Sequence, residues 1–191
     1  MPRRREGDGW RLCPRHRWED TNKILVIGIG KGSENRKQLV TGSLRKLLDE
    51  FQLLFEVQVV PTESHVTSLT REVLQTSLTH GQIDPDAALH ELIRKRKECI
   101  KLHPAIVLVI DQSEYKFTDP DAKYGVGYDD GLVILREIRE EAVRHEIGHM
   151  LGISSHCDKS CDCVMRWECP SKDFCALCGE KLRRLWSETA L

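Results

Sequence analysis

The hydrophobic pattern of the chain predicts four strands. Two unbroken apolar runs, residues 24–29 and 105–110, are typical of strands that are buried on both faces of a sheet. Residues 55–59 alternate between apolar and polar positions and predict a strand that stops at Pro61. A short apolar run at residues 131–135 predicts the fourth strand.

Four other segments have apolar residues at helical spacing. The first includes Leu39 to Phe51, the second covers Ser68 to Leu78, and the third starts near Pro85 and runs toward Lys101. The last runs from about Arg136 to Leu151. The order of the elements indicates an α/β fold, with helices against a sheet layer and the last helix crossing beneath the sheet.

Two glycine-rich stretches are interpreted as connections. Gly28, Gly30 and Gly32 follow the first strand, but their spacing matches neither a dinucleotide fingerprint nor a P-loop, so we predict a plain turn. Residues 119–127, which contain Asp-Pro and Gly-Val-Gly, are predicted as a loop before the fourth strand.

Charge and composition exclude several function classes. The 191 residues carry a formal net charge of -1 with 31% charged residues of both signs, so no overall field favours nucleic acid or a membrane. No apolar run approaches the ~20 residues of a membrane span, and no apolar segment follows the basic start. We therefore expect a cytoplasmic monomer. It would have a weakly ordered basic leader (1–22), acting as a solvated tail or a docking arm, before a catalytic domain (23–191).

His145-Glu146-Ile147-Gly148-His149 carries the strongest chemical signal. On a helix, residues four apart share a face, so two imidazoles could bind one zinc ion while Glu146 projects toward a metal-bound water. Gly152 could end the helix with a positive φ and bring His156 back to the same ion. A zinc hydrolase is the leading hypothesis, against the alternative of ordinary surface histidines.

The distribution of cysteines points to a second metal site. Six of the eight cysteines crowd into the last quarter of the chain: Cys157, Cys161, Cys163, Cys169, Cys175 and Cys178. Without a secretory signal, such a cluster favours metal over disulfides or a redox pair. Because residues 156–180 are short and polar, a structural zinc would stabilise them in place of a hydrophobic core.

These motifs together resemble the archaemetzincin family of metzincin zinc metallopeptidases. The matching features are the histidine motif with Gly152, His156-Cys157, Cys163-Val164-Met165 and the closing Cys175-Ala176-Leu177-Cys178. The resemblance implies a small mixed sheet with an edge strand over the active-site helix, and Met165 as an apolar base beneath the metal. It implies two zinc ions: a catalytic one held by His145, His149 and His156, with Glu146 as general base, and a structural one held by Cys157, Cys163, Cys175 and Cys178.

The chain also departs from the family pattern. Three residues separate Gly152 from His156, one more than usual; the interval from Cys157 to Cys163 is also one residue longer, and the segment from Met165 to Cys175 is shorter. These differences leave room for an alternative, a catalytically weak or inactive zinc-stabilised module that binds peptides. Two further points stay open. Glu168 could replace His156 as third ligand, and Cys161 and Cys169 could substitute for other ligands, pair or stay free.

The substrate is expected to be a peptide or protein, and a small peptide cleaved from its amino terminus is one option. The strand at residues 131–135 could act as an edge that pairs with an extended peptide. Tyr124, Tyr128 or Arg136 could stabilise an oxyanion, although packing in surface loops explains them equally well.

Overall fold

The structure is a computed structural model that describes residues 22–99, 105–111, 113–119, 125–128, 131–157, 162–167 and 171–187. The leader lies outside these residues except for Asn22, so its separation from a catalytic domain stays a prediction. Among the described residues, no helix has both the length and the apolar character needed to cross a membrane.

The described chain forms eight strands and five helices. The strands are β1 (Lys23–Ile29), β2 (Glu56–Val59), β3 (Leu78–Thr79), β4 (Gln82–Ile83), β5 (Ala105–Ile110), β6 (Lys116–Phe117), β7 (Gly125–Tyr128) and β8 (Leu132–Leu135). The helices are α1 (Ser33–Glu50), α2 (His65–Thr76), α3 (Pro85–Cys99), α4 (Glu140–Met150) and α5 (Ala176–Ser187).

A five-stranded mixed sheet in the order β2-β1-β5-β8-β7 forms the centre of the fold. β1 pairs in parallel with both β2 and β5, and β5 pairs in parallel with β8. β7 runs antiparallel to β8, with Gly125 opposite Leu135. A smaller sheet combines β3, β4 and β6. The expected mixed sheet is therefore confirmed.

The central sheet is buried on both faces, which explains its unbroken apolar runs. One face, which includes Ile24 and Val107, packs against apolar side chains of α1, α4 and α5. The opposite face, which includes Ile27 and Leu108, packs against α2, α3 and the small sheet. Successive residues of β1 and β5 thus alternate between two cores, and α4 lies beneath the sheet as the sequence indicated.

The edge strand differs from the sequence prediction. Residues 131–135 were expected at the edge, but β8 lies between β5 and β7, so β7 forms the edge of the sheet. Gly125 and Gly127 had indicated a loop. Neither residue has a positive φ. A Cβ on Gly127 would clash with the backbone oxygen of Glu146. A Cβ on Gly125 would clash with the backbone oxygen of Ile134 on β8. The two glycines are therefore needed for the close approach of β7 to α4 and to β8, and not because the chain turns there.

Other corrections concern helices and short strands. α5 was not predicted, although Cys178, Leu182 and Trp186 follow helical spacing and the first two are buried. α4 starts at Glu140 instead of Arg136, and α2 ends at Thr76 instead of Leu78. The short strands β3, β4 and β6 were also missed. A strand of two residues is too short to show a periodic pattern in the sequence.

Candidate metal centre

The C-terminal half of α4 presents the histidine motif beneath β7. A Cβ added at Gly127 would lie 3.1 Å from the Cβ of His149, so strand and helix are in direct contact there. Glu140 and Glu141 occupy the first turn of α4, where acidic side chains interact favourably with the helix dipole. The helix ends at Leu151, and Gly152 adopts a φ of 107°, the positive value expected from the sequence.

The structure brings His145, His149 and His156 together. The centroid of the His145 ring lies 4.8 Å from that of His149 and 5.1 Å from that of His156, and the His149 and His156 centroids are 5.0 Å apart. One ring nitrogen from each histidine lies within 4.8 Å of the other two. The extra residue before His156 is thus accommodated without moving this side chain out of the cluster.

The hydrogen bonds of two imidazoles define their tautomers. Nδ1 of His145 lies 2.7 Å from the carbonyl oxygen of Val164, and Nδ1 of His149 lies 2.6 Å from that of Ile153. A carbonyl oxygen can only accept, so each Nδ1 carries a proton and donates it. Burial lowers the pKa of His145 to about 4 and, together with the neighbouring His145, that of His149 to about 3. Both rings are therefore neutral near pH 7, and both Nε2 atoms are unprotonated.

The facing Nε2 atoms fit a zinc ion. They lie 3.1 Å apart, and two unprotonated nitrogens cannot hydrogen-bond to each other. Two nitrogens bound to one tetrahedral zinc at ~2.0–2.1 Å would be ~3.3 Å apart, close to this separation. Imidazoles that bind metal commonly donate their other N–H to a carbonyl, as both rings do here. The donor set therefore suits zinc, and His156 lies close enough to offer a third ring nitrogen.

Glu146 lies next to the histidines in a largely water-excluded position. Its side chain is buried, and a Cβ at Gly125 would come within 3.3 Å of its Cγ. Burial raises the pKa of Glu146 to about 8 in the protein without metal. A cation held by the histidines would act in the opposite direction and favour the carboxylate. Burial and a cation bound by the histidines would therefore shift the pKa of Glu146 in opposite directions.

Met165 packs against α4 between the two helical histidines. It is fully buried, and a Cβ on Gly148 would meet its Sδ at 2.5 Å. Glycine inside a helix costs roughly 0.5–1 kcal/mol relative to alanine, but here it leaves space for the thioether. The location agrees with an apolar base under the histidine cluster, and Met165 also belongs to the main core.

Cys157, Cys163, Cys175 and Cys178 form the second candidate metal site. Their sulfur atoms all lie within 4.8 Å of one another, and none of the four is in a disulfide. Sγ of Cys157 lies 3.9 Å from Sγ of Cys175, whereas a disulfide requires ~2.05 Å. Two sulfurs on a tetrahedral zinc at ~2.3 Å would be ~3.8 Å apart. The observed separation fits that geometry.

The thiol environment further favours a metal. The backbone N–H of Cys175 donates to Sγ of Cys163 at 3.3 Å, an interaction that stabilises a thiolate. Burial raises the pKa of both Cys163 and Cys178, so without a cation these thiols would stay protonated. Zinc binding would reverse this, because coordinated thiols lose their protons.

The two candidate sites are directly connected along the chain. His156 belongs to the first and Cys157 to the second. The N–H of Cys157 donates to the carbonyl oxygen of Met165 at 2.8 Å, and the N–H of Val164 donates to that of Asp173 at 2.7 Å. Met165, which lies under the histidines, is therefore hydrogen-bonded to Cys157, the residue that follows His156 and belongs to the second site.

A cleft of about 180 Å³ opens over the histidines, with Glu146 and β7 in its walls. Two further lining residues, Asp119 and Trp167, were not among the predicted site residues. The ring of Trp167 makes an edge contact with that of His156 at a centroid separation of 4.7 Å. The signal available in the sequence for Trp167 was a tryptophan two positions after Met165. Asp119, in an expected loop, had no such signal.

The remaining predicted residues have different locations. Tyr128 lines the cleft, so an oxyanion role for it stays a prediction. The guanidinium carbon of Arg136 lies 5.8 Å from the ring centroid of Phe117, and Arg136 is not among the described lining residues. Four other candidates lie outside the described residues: Tyr124, Cys161, Glu168 and Cys169.

Comparison with known proteins gives one structural likeness. No protein-family model matches the chain, and no curated protein matches its sequence. The structure is similar to the crystal structure of archaemetzincin from Methanopyrus kandleri, with a TM-score of 0.58 and 17% sequence identity. The match covers 86% of this chain and 95% of that chain. The chain therefore has the archaemetzincin fold, as the sequence motifs led us to expect.

Proposed function

We propose that this chain, which has the archaemetzincin fold, is a zinc-dependent metallopeptidase acting in the cleft between β7 and α4. The observation that carries the proposal is the arrangement of His145 and His149. Their Nε2 atoms face each other at 3.1 Å, while both Nδ1 atoms donate to backbone carbonyls. This arrangement suits two ligands of one cation. If no cation were bound, two unprotonated nitrogens would face each other, and they cannot hydrogen-bond to each other.

The catalytic zinc would be held by His145, His149 and His156, and the structural zinc by Cys157, Cys163, Cys175 and Cys178. When bound, the catalytic ion supplies Lewis acidity, polarising a carbonyl and making a water molecule more acidic.

Glu146 is the proposed general base and then general acid. It would take a proton from the attacking water and return it to the leaving amine, so that the C–N bond breaks without releasing an unstable anion. The buried position of the carboxyl group supports this role, because burial favours its protonated form while the nearby cation favours its ionised form. The two influences together would bring its pKa near the pH of the reaction.

β7 is the proposed binding edge for the peptide. One side of this strand pairs with β8, and no other described strand pairs with its second side. An extended substrate could add there through backbone hydrogen bonds, which fix its direction without depending on side-chain identity. Because Gly127 contacts the backbone of α4, such a peptide would be held close to the histidine cluster.

Replacement of Glu146 by glutamine tests the catalytic proposal. The zinc-loaded wild-type protein is expected to cleave short peptides, and Glu146→Gln should reduce kcat by about 10²–10⁴-fold while its zinc content stays unchanged. Glu141→Gln is the matched control, since Glu141 lies on the same helix but is not among the described lining residues. Undiminished hydrolysis by Glu146→Gln would remove the proposed base.

Metal analysis separates the enzyme from the alternative of a zinc-stabilised binding module. Two candidate ligand groups are present, so two zinc ions per chain are expected. A single zinc that survives removal of the histidines but not of the cysteines, combined with no hydrolysis, would favour the module.

A further inference from the structure

The three clustered histidines differ in how their rings are held. Nδ1 of His145 donates to the carbonyl oxygen of Val164, and Nδ1 of His149 donates to that of Ile153. The ring of His156, which is half-buried and lies outside α4, makes no comparable bond to a described residue. Metal-binding imidazoles usually keep their orientation through such a partner, so the orientation of His156 depends on another contact.

Trp167 supplies a contact to this ring from outside the cluster. The ring centroids of His156 and Trp167 lie 4.7 Å apart, and the ring planes are inclined by 63°. This geometry is within the range of edge-to-face aromatic pairs. Both side chains also line the cleft. The indole therefore occupies the space into which the imidazole would turn if it rotated toward that side.

Backbone hydrogen bonds fix the position of Trp167. The N–H of Cys157 donates to the carbonyl oxygen of Met165 at 2.8 Å, and the N–H of Arg166 donates to that of Cys163 at 3.1 Å. Met165 is fully buried and anchors this segment in the main core. The chain thus holds the indole against the side chain of the residue that precedes Cys157.

The exposure of Trp167 argues against a main role in the core. Its side chain is 59% exposed, and it belongs to neither of the two described apolar clusters. A tryptophan stabilises a fold chiefly through the large apolar area that it buries, and this ring leaves most of that area in water. Its loss should therefore affect His156 more than the stability of the whole molecule.

We infer that Trp167 is a positioning residue for the candidate catalytic metal, and that its indole ring orients the imidazole of His156 toward His145 and His149. The inference rests on the metal site of the proposed function and adds a residue that is not itself a ligand. A ring that is already oriented loses less conformational freedom when it binds, so metal affinity is higher. The cysteine site should be unaffected, since its four ligands form a separate cluster.

The test measures metal affinity at the histidine site alone. The cysteine site is first filled with zinc, and cobalt(II), whose visible spectrum reports its ligands and geometry, is then titrated into the protein. The absence of the near-ultraviolet charge-transfer band of cysteine-bound cobalt shows that the histidine site takes up the ion. Wild type is compared with Trp167→Ala and Trp167→Phe. Leu54→Ala is the control, because it removes an exposed apolar side chain outside the described lining of the cleft.

Trp167→Ala should weaken cobalt binding about 10–100-fold, the range for loss of a group that orients a metal ligand. Trp167→Phe should restore most of the affinity because it retains an aromatic ring, and Leu54→Ala should bind like wild type. The Tm of metal-free Trp167→Ala should stay close to that of the metal-free wild type, since the indole is largely exposed. Equal cobalt affinities for wild type and Trp167→Ala would overturn the inference.

A double-mutant cycle shows whether Trp167 acts through His156. In the His156→Ala background, measured at higher cobalt concentrations, Trp167→Ala should have little further effect because no ring remains to be oriented. The same loss of affinity with and without His156 would overturn the positioning role.

Cobalt binding also keeps this inference separate from the proposed peptidase activity. Binding that depends on Trp167 in a protein that cleaves no peptide would retain the inference and reject the peptidase. Peptide hydrolysis by the wild type, combined with an unchanged affinity in Trp167→Ala, would retain the peptidase and overturn the inference. No cobalt uptake at the histidines of the wild type would overturn both.

Discussion

At the residue scale, missing side chains shape the site as much as present ones. Gly127 allows β7 to lie directly on α4, because a Cβ there would clash with the backbone oxygen of Glu146, and Gly125 allows β7 to lie close to β8, because a Cβ there would clash with the backbone oxygen of Ile134. Gly148 leaves space for Met165 beneath the histidines. Glycine often indicates a turn, but at these positions the absence of a Cβ allows close packing instead.

Gly127→Ala tests this interpretation. The added methyl group meets backbone atoms of α4, which cannot rotate away, so we expect a loss of about 1–3 kcal/mol in the free energy of unfolding. Peptide hydrolysis should also fall as β7 moves off the helix. Denaturant unfolding and an activity assay would measure both effects.

Gly42→Ala is the matched control for that substitution. Gly42 is exposed on α1, and an added Cβ would meet nothing within 4 Å. This variant should be stabilised by about 0.5–1 kcal/mol. Equal stability changes for the two variants would show that β7 does not need glycine to approach α4.

At the scale of elements, α5 and the cysteine segment support the end of α4. The indole N–H of Trp186 donates to the carbonyl oxygen of Leu151 at 3.0 Å. The ring of Phe174 lies 5.4 Å from that of Phe51 on α1, in an edge-to-face contact. Leu182 on α5 and Met165 in the cysteine segment also belong to the core between the central sheet, α1 and α4. The C-terminal part of the chain therefore depends less on metal than its polar composition suggested.

Cys178→Ser tests the support that the cysteine site gives to the active site. Loss of one of four thiolates should remove one zinc per chain, lower Tm by several degrees and weaken zinc binding at His156, which is joined to the same segment through Cys157. Calorimetry and zinc titration would measure these effects. Leu177→Ala, at an exposed neighbouring position, should change neither. A full zinc complement with an unchanged Tm would contradict the structural-zinc assignment.

At the scale of the whole molecule, the candidate zinc sites lie where the sheet edge, α4 and the C-terminal segment meet. His145 and His149 come from α4, whereas His156 and the cysteines come from the chain beyond it. A metal bound at either site would therefore join parts of the structure that are otherwise held by packing and a few hydrogen bonds. Such a ligand stabilises the folded state in proportion to its affinity.

Removal of zinc should accordingly destabilise the whole fold. At a free zinc concentration 1,000 times the Kd, binding at one site contributes ~4.1 kcal/mol, so chelation should lower Tm clearly and zinc addition should restore it. Thermal melts at graded chelator concentrations would test this, with magnesium addition as the control. Identical melts with and without zinc would argue against metal at both sites.

The sequence by itself determined the parts of this protein that depend on local order. Apolar runs predicted β1 and β5, helical spacing predicted α1, and the motif on α4 placed His145, Glu146 and His149 on one helix because helical geometry depends only on neighbouring residues. Gly152 could be assigned a positive φ for the same reason.

Tertiary structure decided what depends on distant contacts. Gly127 lies in a strand because α4 passes beneath it, and β8 is an inner strand because β7 pairs with its other side. Asp119 reaches the cleft because Thr118 is anchored to Ile83 in another sheet. None of these relationships leaves a periodic trace in the sequence, since each joins residues through space and not through their order along the chain.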